Sequence, residues 1–252
     1  MTPPPAPEID LAGRLQIGMR VAAMVVALLF ALVVHGLWRL FRLPSPWPRL
    51  LLGTIGRIAG VRRRVIGSPL RRDAFFVANH QSWLDILVLA GATGTAFIAK
   101  GELERVPLIG WLCGLNHTVF VARGDRMGIA AQIADVRSAL DEGWSLAIFP
   151  EGTTTDGTEL LPFKAPLLAV LDPPPPRVRV QPVLIDYGAA RADVSWVGDE
   201  PGLDNVKRIL ARRGGFDATL TFLDPFEPAI AGNRKAIAAK ARAQIEAVMT
   251  SN

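Results

Sequence analysis

His80 and Asp85 stand five residues apart in the run Asn79-His80-Gln81-Ser82-Trp83-Leu84-Asp85. An imidazole and a carboxylate at that spacing can make a base. The carboxylate holds one ring nitrogen and leaves the other free to take a proton. The same residues also read as a helix start, with Ser82 and Asp85 as a capping box and His80 as an ordinary loop histidine. A second run, Phe149-Pro150-Glu151-Gly152-Thr153, offers a carboxylate, a hydroxyl and backbone N–H groups in a tight loop. Alone, it is equally a turn carrying a solvated glutamate.

The elements that must hold these residues can be read around them. Residues 73–78 and 145–149 are apolar runs of strand length, each ending at one of the two motifs. A helix is expected from Trp83 onward, with Ser82 as its N-cap. Further strands are expected at 95–99, 118–122, 177–186 and 218–223, and helices at 129–140 and 234–248. This alternation predicts an α/β fold with a mixed, largely parallel sheet flanked by helices. Both motifs then fall at the carboxyl ends of strands, where such sheets place their ligands. The four prolines at 173–176 read as a stiff surface connection.

The chain has 252 residues, half of them hydrophobic, and a formal net charge of +5. That is enough chain for one domain with a substantial core. Residues 21–38 contain His35 as their sole ionisable group. As a helix these eighteen residues would span about 27 Å, close to the hydrocarbon thickness of a bilayer. Between Arg39 and Arg72 there are nine arginines and no Asp, Glu or Lys. An apolar helix followed by a basic run predicts an anionic bilayer partner and a cytoplasmic catalytic face at the cell membrane. Residues 47–58 read as a short amphipathic helix suited to that surface. Domain organisation is therefore expected as membrane-anchoring helices at 1–60 and a catalytic domain at 61–252. No nucleic-acid motif accompanies the arginines. Cys113 is the single cysteine, so no intrachain disulfide is possible. There is no His/Cys ligand cluster and no P-loop, so neither a metal nor a nucleoside triphosphate is expected.

Taken together, the motifs resemble the glycerolipid acyltransferase family. Asn79, His80 and Asp85 match its Asn-His-x4-Asp block, and Phe149 to Thr153 match Phe-Pro-Glu-Gly-Thr completely. Gly114 through Val119-Phe120-Val121-Ala122-Arg123 and Val180-Gln181-Pro182-Val183 resemble the two weaker blocks, in the right order. The resemblance implies an O-acyltransferase that moves a fatty acyl group from an acyl thioester to a lysolipid hydroxyl. The acceptor attacks directly, without a covalent enzyme intermediate. It also implies His80 as base, Asp85 as its partner, and Glu151, Gly152, Thr153 and Arg123 as acceptor-binding residues, with Lys100 and Lys164 as further candidates. Acyl-CoA or acyl carrier protein would be the co-substrate, with no cofactor. The leading expected acceptor is 1-acyl-sn-glycerol-3-phosphate. The alternative is lyso-ornithine lipid or another lysolipid without the glycerol phosphate, because Thr154 stands where many phosphate-using members have Arg. An alternative of another class is a non-catalytic protein that binds lipid at the membrane surface.

Overall fold

The computed structural model describes residues 8–43, 45–101, 118–121 and 129–250. Arg123, Cys113 and Gly114 lie outside the described residues. Of Lys100 only the backbone is described.

At the centre is a seven-stranded sheet in the order β1-β7-β6-β2-β5-β3-β4. Its strands are β1 (Val61–Ile66), β2 (Ala74–Ala78), β3 (Ala96–Lys100), β4 (Val119–Val121), β5 (Leu146–Ile148), β6 (Arg179–Asp186) and β7 (Phe216–Phe222). All neighbours are parallel except β6 and β7. This is the expected mixed, largely parallel arrangement. β2 lies in the middle and is buried along its whole length, as a parallel strand covered on both faces must be. Its side chains alternate: Phe76 and Ala78 enter one core, Phe75 and Val77 the other.

The sequence reading did not anticipate β1. In Val-Arg-Arg-Arg-Val-Ile only Val61 is buried, so no apolar alternation marks the strand. It pairs on one side only, and its arginines face water, a composition that discourages pairing with another chain's edge.

Helices α1 (Leu11–Leu40), α2 (Trp47–Ile58), α3 (Leu84–Thr93) and α5 (Gly202–Ala211) lie on the first face, and α4 (Ile129–Asp141) and α6 (Arg234–Met249) on the second. α1 starts ten residues before the apolar stretch, capped by the Asp10 side chain, which accepts from the Gly13 amide at 2.7 Å. At thirty residues it is about 45 Å long. Its first half is docked on the domain. Arg20 is buried and donates to the carbonyls of Ile209, Leu210 and Gly214 at 3.0, 3.2 and 3.1 Å. The first two carbonyls lie in the last turn of α5, where a cation offsets the helix dipole, and the third in the turn that follows. Ile17 and Met24 pack against the same core. Beyond them α1 exposes Val25, Val26, Leu29, Phe30, Val33 and Leu37. α2 then returns to the body. Its Gly53 backbone passes so close to α3 that a Cβ on Gly91 would stand 2.7 Å from Gly53 Cα.

Candidate active site

β2 delivers the first motif at its carboxyl end, in the middle of the sheet. Where its ladder ends, the Asn79 side chain replaces a backbone partner for β6, with Oδ1 accepting from Ile185 N at 2.7 Å and Nδ2 donating to Ile185 O at 2.9 Å. The main chain is thereby freed to turn, and His80 occupies the bend. α3 begins at Leu84, with Asp85 in its first turn.

His80 Nδ1 lies 2.7 Å from Asp85 Oδ2. The same oxygen accepts from the amides of Gln81 and Ser82 at 2.7 and 2.9 Å. Asp85 thus holds the histidine and also reaches back to the Ser82 amide, but the N-cap of α3 is Trp83, without a side-chain cap, rather than the expected Ser82. A carboxylate so surrounded is an acceptor, which places the imidazole proton on Nδ1 and leaves Nε2 as an acceptor, with no partner among the described residues. Asp85 is fully buried, whereas the His80 side chain keeps 19% of its surface exposed. The ring is stacked on Phe149, with centroids 4.1 Å apart and planes 9° from parallel, and Phe149 is backed in turn by Phe97.

The second motif meets the first through its backbone. Glu151 is 1% exposed. Its Oε1 accepts from the His80 amide at 2.8 Å and its Oε2 from the Leu161 amide at 3.0 Å. Burial raises its carboxyl above the ordinary glutamate value, although both backbone donors and His80 pull the other way. The reading of a solvated glutamate does not hold, and of the role expected for Glu151 in binding the acceptor's head the structure shows instead a carboxylate whose two oxygens tie the His80 bend to the following loop. Thr155 N donates to His80 O at 2.9 Å and closes the same junction from the other side. Gly157 has φ +73°, and a Cβ there would fall 2.2 Å from Gln81 Oε1, so only glycine fits. Gly152 is half-buried and Thr153 exposed on the outer side of the loop, with Lys164 exposed nearby. The amides of His80, Gln81 and Ser82 are all engaged by carboxylates, which removes them as donors for an oxyanion.

Two participants were not legible as such in the sequence. Tyr187, the single tyrosine, is fully buried at the end of β6 and donates to Asp85 Oδ1 at 2.6 Å. Burial first, then the Asp85 charge, push its phenol well above the ordinary value, so it stays a donor. Trp196 is the other. Its amide donates to Gln81 O at 2.8 Å, and its carbonyl accepts from the Thr154 hydroxyl. Behind it, Glu200 holds Arg208 through both carboxylate oxygens, and Asn205 links Glu200 to the indole of Trp83. The signal for Tyr187 was its uniqueness beside a strand end. Trp196 had none, because its contribution is made through its backbone.

Asp156 sits two residues beyond Thr154. The Thr158 hydroxyl bonds it at 2.6 Å and holds its carboxyl below the ordinary aspartate value.

Comparison with known proteins agrees with this geometry. The Acyltransferase family model matches residues 62–186. A lyso-ornithine lipid O-acyltransferase from Rhodobacter capsulatus is 33% identical over 98% of this chain and 95% of its own length. One from Brucella abortus is 33% identical over 96% of each. A 1-acyl-sn-glycerol-3-phosphate acyltransferase from Neisseria gonorrhoeae is 40% identical, but over 36% of this chain and 35% of its own. The crystal structure of the 1-acyl-sn-glycerophosphate acyltransferase from Thermotoga maritima superposes with a TM-score of 0.61, covering 93% of this chain and 97% of that one at 21% identity, so the fold is shared. With the motifs in place around one bend and the full-length relatives in agreement, the chain belongs to the glycerolipid acyltransferase family.

Proposed function

We propose that this acyltransferase moves a fatty acyl group from a coenzyme A or acyl carrier protein thioester to the free hydroxyl of lyso-ornithine lipid. The observation that carries the reaction is the His80–Asp85 pair, which engages Nδ1 and leaves Nε2 available for a proton. His80 takes the acceptor's hydroxyl proton as the oxygen attacks the thioester carbonyl. Asp85 stabilises the imidazolium that forms. The tetrahedral adduct then collapses, the C–S bond breaks, and the leaving thiolate recovers the proton from His80. Glu151 acts by holding the His80 backbone, while Gly152, Thr153 and Arg123 are the residues assigned to the acceptor.

For the head group, the runner-up acceptor replaces 1-acyl-sn-glycerol-3-phosphate as the leading one. Both full-length relatives above carry the lyso-ornithine name, and the glycerophosphate-using relative matches about a third of the chain. The loop supports the same choice. Thr154 brings no charge, and its hydroxyl is engaged by Trp196 O. Asp156 nearby is held ionised, which disfavours a phosphate and suits an ammonium such as ornithine's. Nearby Arg191 is paired with Asp186 at 2.8 Å.

We also place the enzyme on one leaflet rather than across the bilayer. α1 qualifies as a span by length and composition. Yet Arg20 fixes its first half to α5, and α2 leads back to α3, so both legs of the hairpin belong to one body. The apolar residues from Val25 to Leu37 would enter the leaflet, with the arginine-rich segment at its cytoplasmic surface.

The test is acyl transfer by purified protein to lyso-ornithine lipid and to 1-acyl-sn-glycerol-3-phosphate, with each donor. The expected result is a higher kcat/KM for lyso-ornithine lipid. Preference for the glycerophosphate would overturn the head-group reading alone. Transfer to neither acceptor would overturn the reaction.

A further inference from the structure

Away from the dyad, on the face covered by α2 and α3, lies a cavity of roughly 310 Å³ bounded by α2, β1 and α3. That is at the lower end of the range for small-molecule sites, about 300–1,000 Å³. Its walls are of two kinds. Gly53 and Gly56 of α2 and Leu87 and Val88 of α3 are apolar, and Arg57 and Arg63 supply charge. The guanidinium of Arg63 lies over the crossing of two glycines: a Cβ on Gly91 would meet its Nη1 at 2.6 Å, and one on Gly53 at 3.6 Å. Glycine at 91 therefore makes room for this cation, whereas a Cβ at 53 would merely touch it.

Charge around the cavity is unbalanced. Arg49 is occupied at the C-terminal end of α3, donating to Ala92 O at 2.6 Å. Arg62, which also borders the cavity, is paired with Asp217. Among the described residues, neither Arg57 nor Arg63 forms an ion pair. Partial burial and the charges of Arg49 and Arg57 lower the Arg63 pKa from the ordinary arginine value, the direction expected when like charges gather without a counter-charge. Guanidinium groups in that situation are suited to a phosphate, which they bind through two parallel N–H···O bonds.

We infer that the cavity between α2, β1 and α3 is a binding site for a phosphate ester, with Arg57 and Arg63 on the phosphate and Gly53, Gly56, Leu87 and Val88 against its organic portion. The site is separate from the loop assigned to the acceptor and does not rest on the choice of acceptor. Two sources share this chemistry. One is the head group of an anionic phospholipid, reached where α2 leaves the apolar part of α1. The other is the phosphate-bearing end of a coenzyme A thioester.

The experiment is a direct binding measurement on the full chain in a neutral detergent, with dihexanoyl phosphatidylglycerol and coenzyme A as separate probes and dihexanoylglycerol as the phosphate-free control. Wild type should bind at least one phosphate probe saturably and not the control. Arg57→Gln combined with Arg63→Gln should weaken that binding tenfold or more. Gly56→Leu keeps both charges and fills the cavity, and it should weaken binding as well. Arg234→Gln with Lys235→Gln removes two exposed cations of α6, on the other face of the sheet, and should leave binding unchanged. Saturation by phosphatidylglycerol alone assigns the site to the bilayer, and by coenzyme A alone to the donor. Absence of saturable binding to both probes, or equal losses in the cavity and surface variants, would overturn the site.

Discussion

Tyr187 donates its hydroxyl to Asp85 Oδ1 at 2.6 Å, on the oxygen opposite the one that holds His80. Four donors thus converge on one buried carboxylate. Removing the phenol oxygen in Tyr187→Phe should let the carboxylate hold the imidazolium more tightly. The acidic limb of kcat/KM against pH is then expected at higher pH than in wild type. The buried bond to a charged group should cost about 1.5–3 kcal/mol of stability when lost. A pH profile and a urea titration read the two effects separately. A less stable variant with an unmoved profile would reduce Tyr187 to a packing role.

His80→Ala should lower acyl transfer by roughly 10²- to 10⁴-fold, the usual contribution of a positioned base. The fold should persist, since the backbone bonds of residue 80 to Glu151 and Thr155 do not need the imidazole. Asp85→Asn should also lose most activity and, unlike His80→Ala, destabilise the protein, because an amide cannot accept from all four donors. Near-normal turnover by folded His80→Ala would refute the mechanism.

Glu151 provides a pH test with a definite sign. Burial holds its folded value above the ordinary 4.5. The folded state therefore binds this proton more tightly than the unfolded state. Its contribution to stability is complete below the unfolded value and is lost as pH rises through the folded one. The stability difference, wild type minus Glu151→Gln, should decline as pH rises above the ordinary 4.5. A difference that grows with pH would mean that the two backbone donors outweigh burial.

Thr154→Arg tests the loop. A charged hydrogen bond to phosphate contributes about 1.5–3 kcal/mol, so kcat/KM for 1-acyl-sn-glycerol-3-phosphate should rise by roughly tenfold or more. Use of lyso-ornithine lipid should fall. Thr154→Val is the control, because it also releases Trp196 O but adds no charge. If Val raises glycerophosphate use as much as Arg does, charge at this position is not what selects the acceptor.

Arg20→Met should lower stability by on the order of 1–3 kcal/mol, since two carbonyls in the last turn of α5 and that of Gly214 lose a buried donor. Thermal unfolding would register this as a drop of several degrees. Flotation with vesicles should be unaffected, because the outward apolar residues of α1 are untouched.

Much of the sheet was legible because its strands are short apolar runs bounded by turns, and 74–78 and 179–186 are examples. The His80–Asp85 pair was legible because five residues across a strand-to-helix bend bring the two side chains together locally. Tyr187 was not, because it reaches Asp85 only through the pairing of β6 with β2, which joins residues about a hundred positions apart. α5 was missed for a different reason. Asn205 is completely buried in a position where apolar periodicity would look for a hydrophobic residue, and Arg208 turns inward to Glu200. Polar residues that are satisfied by one another break the pattern on which the reading of a helix depends.

The docking of α1 has a practical meaning for anyone wishing to handle this enzyme without detergent. Trimming the chain ahead of β1 would remove the greasy surface, but also Ile17, Met24, Leu52 and Ile55, which fill the same core as Leu87 and Phe216. The truncated protein would trade one exposed apolar surface for another. Water solubility and structural integrity are governed by opposite sides of a single helix. Polar replacements at Val26, Phe30, Val33 and Leu37 are therefore the gentler route, changing what the helix shows to its surroundings while sparing what it gives to the fold.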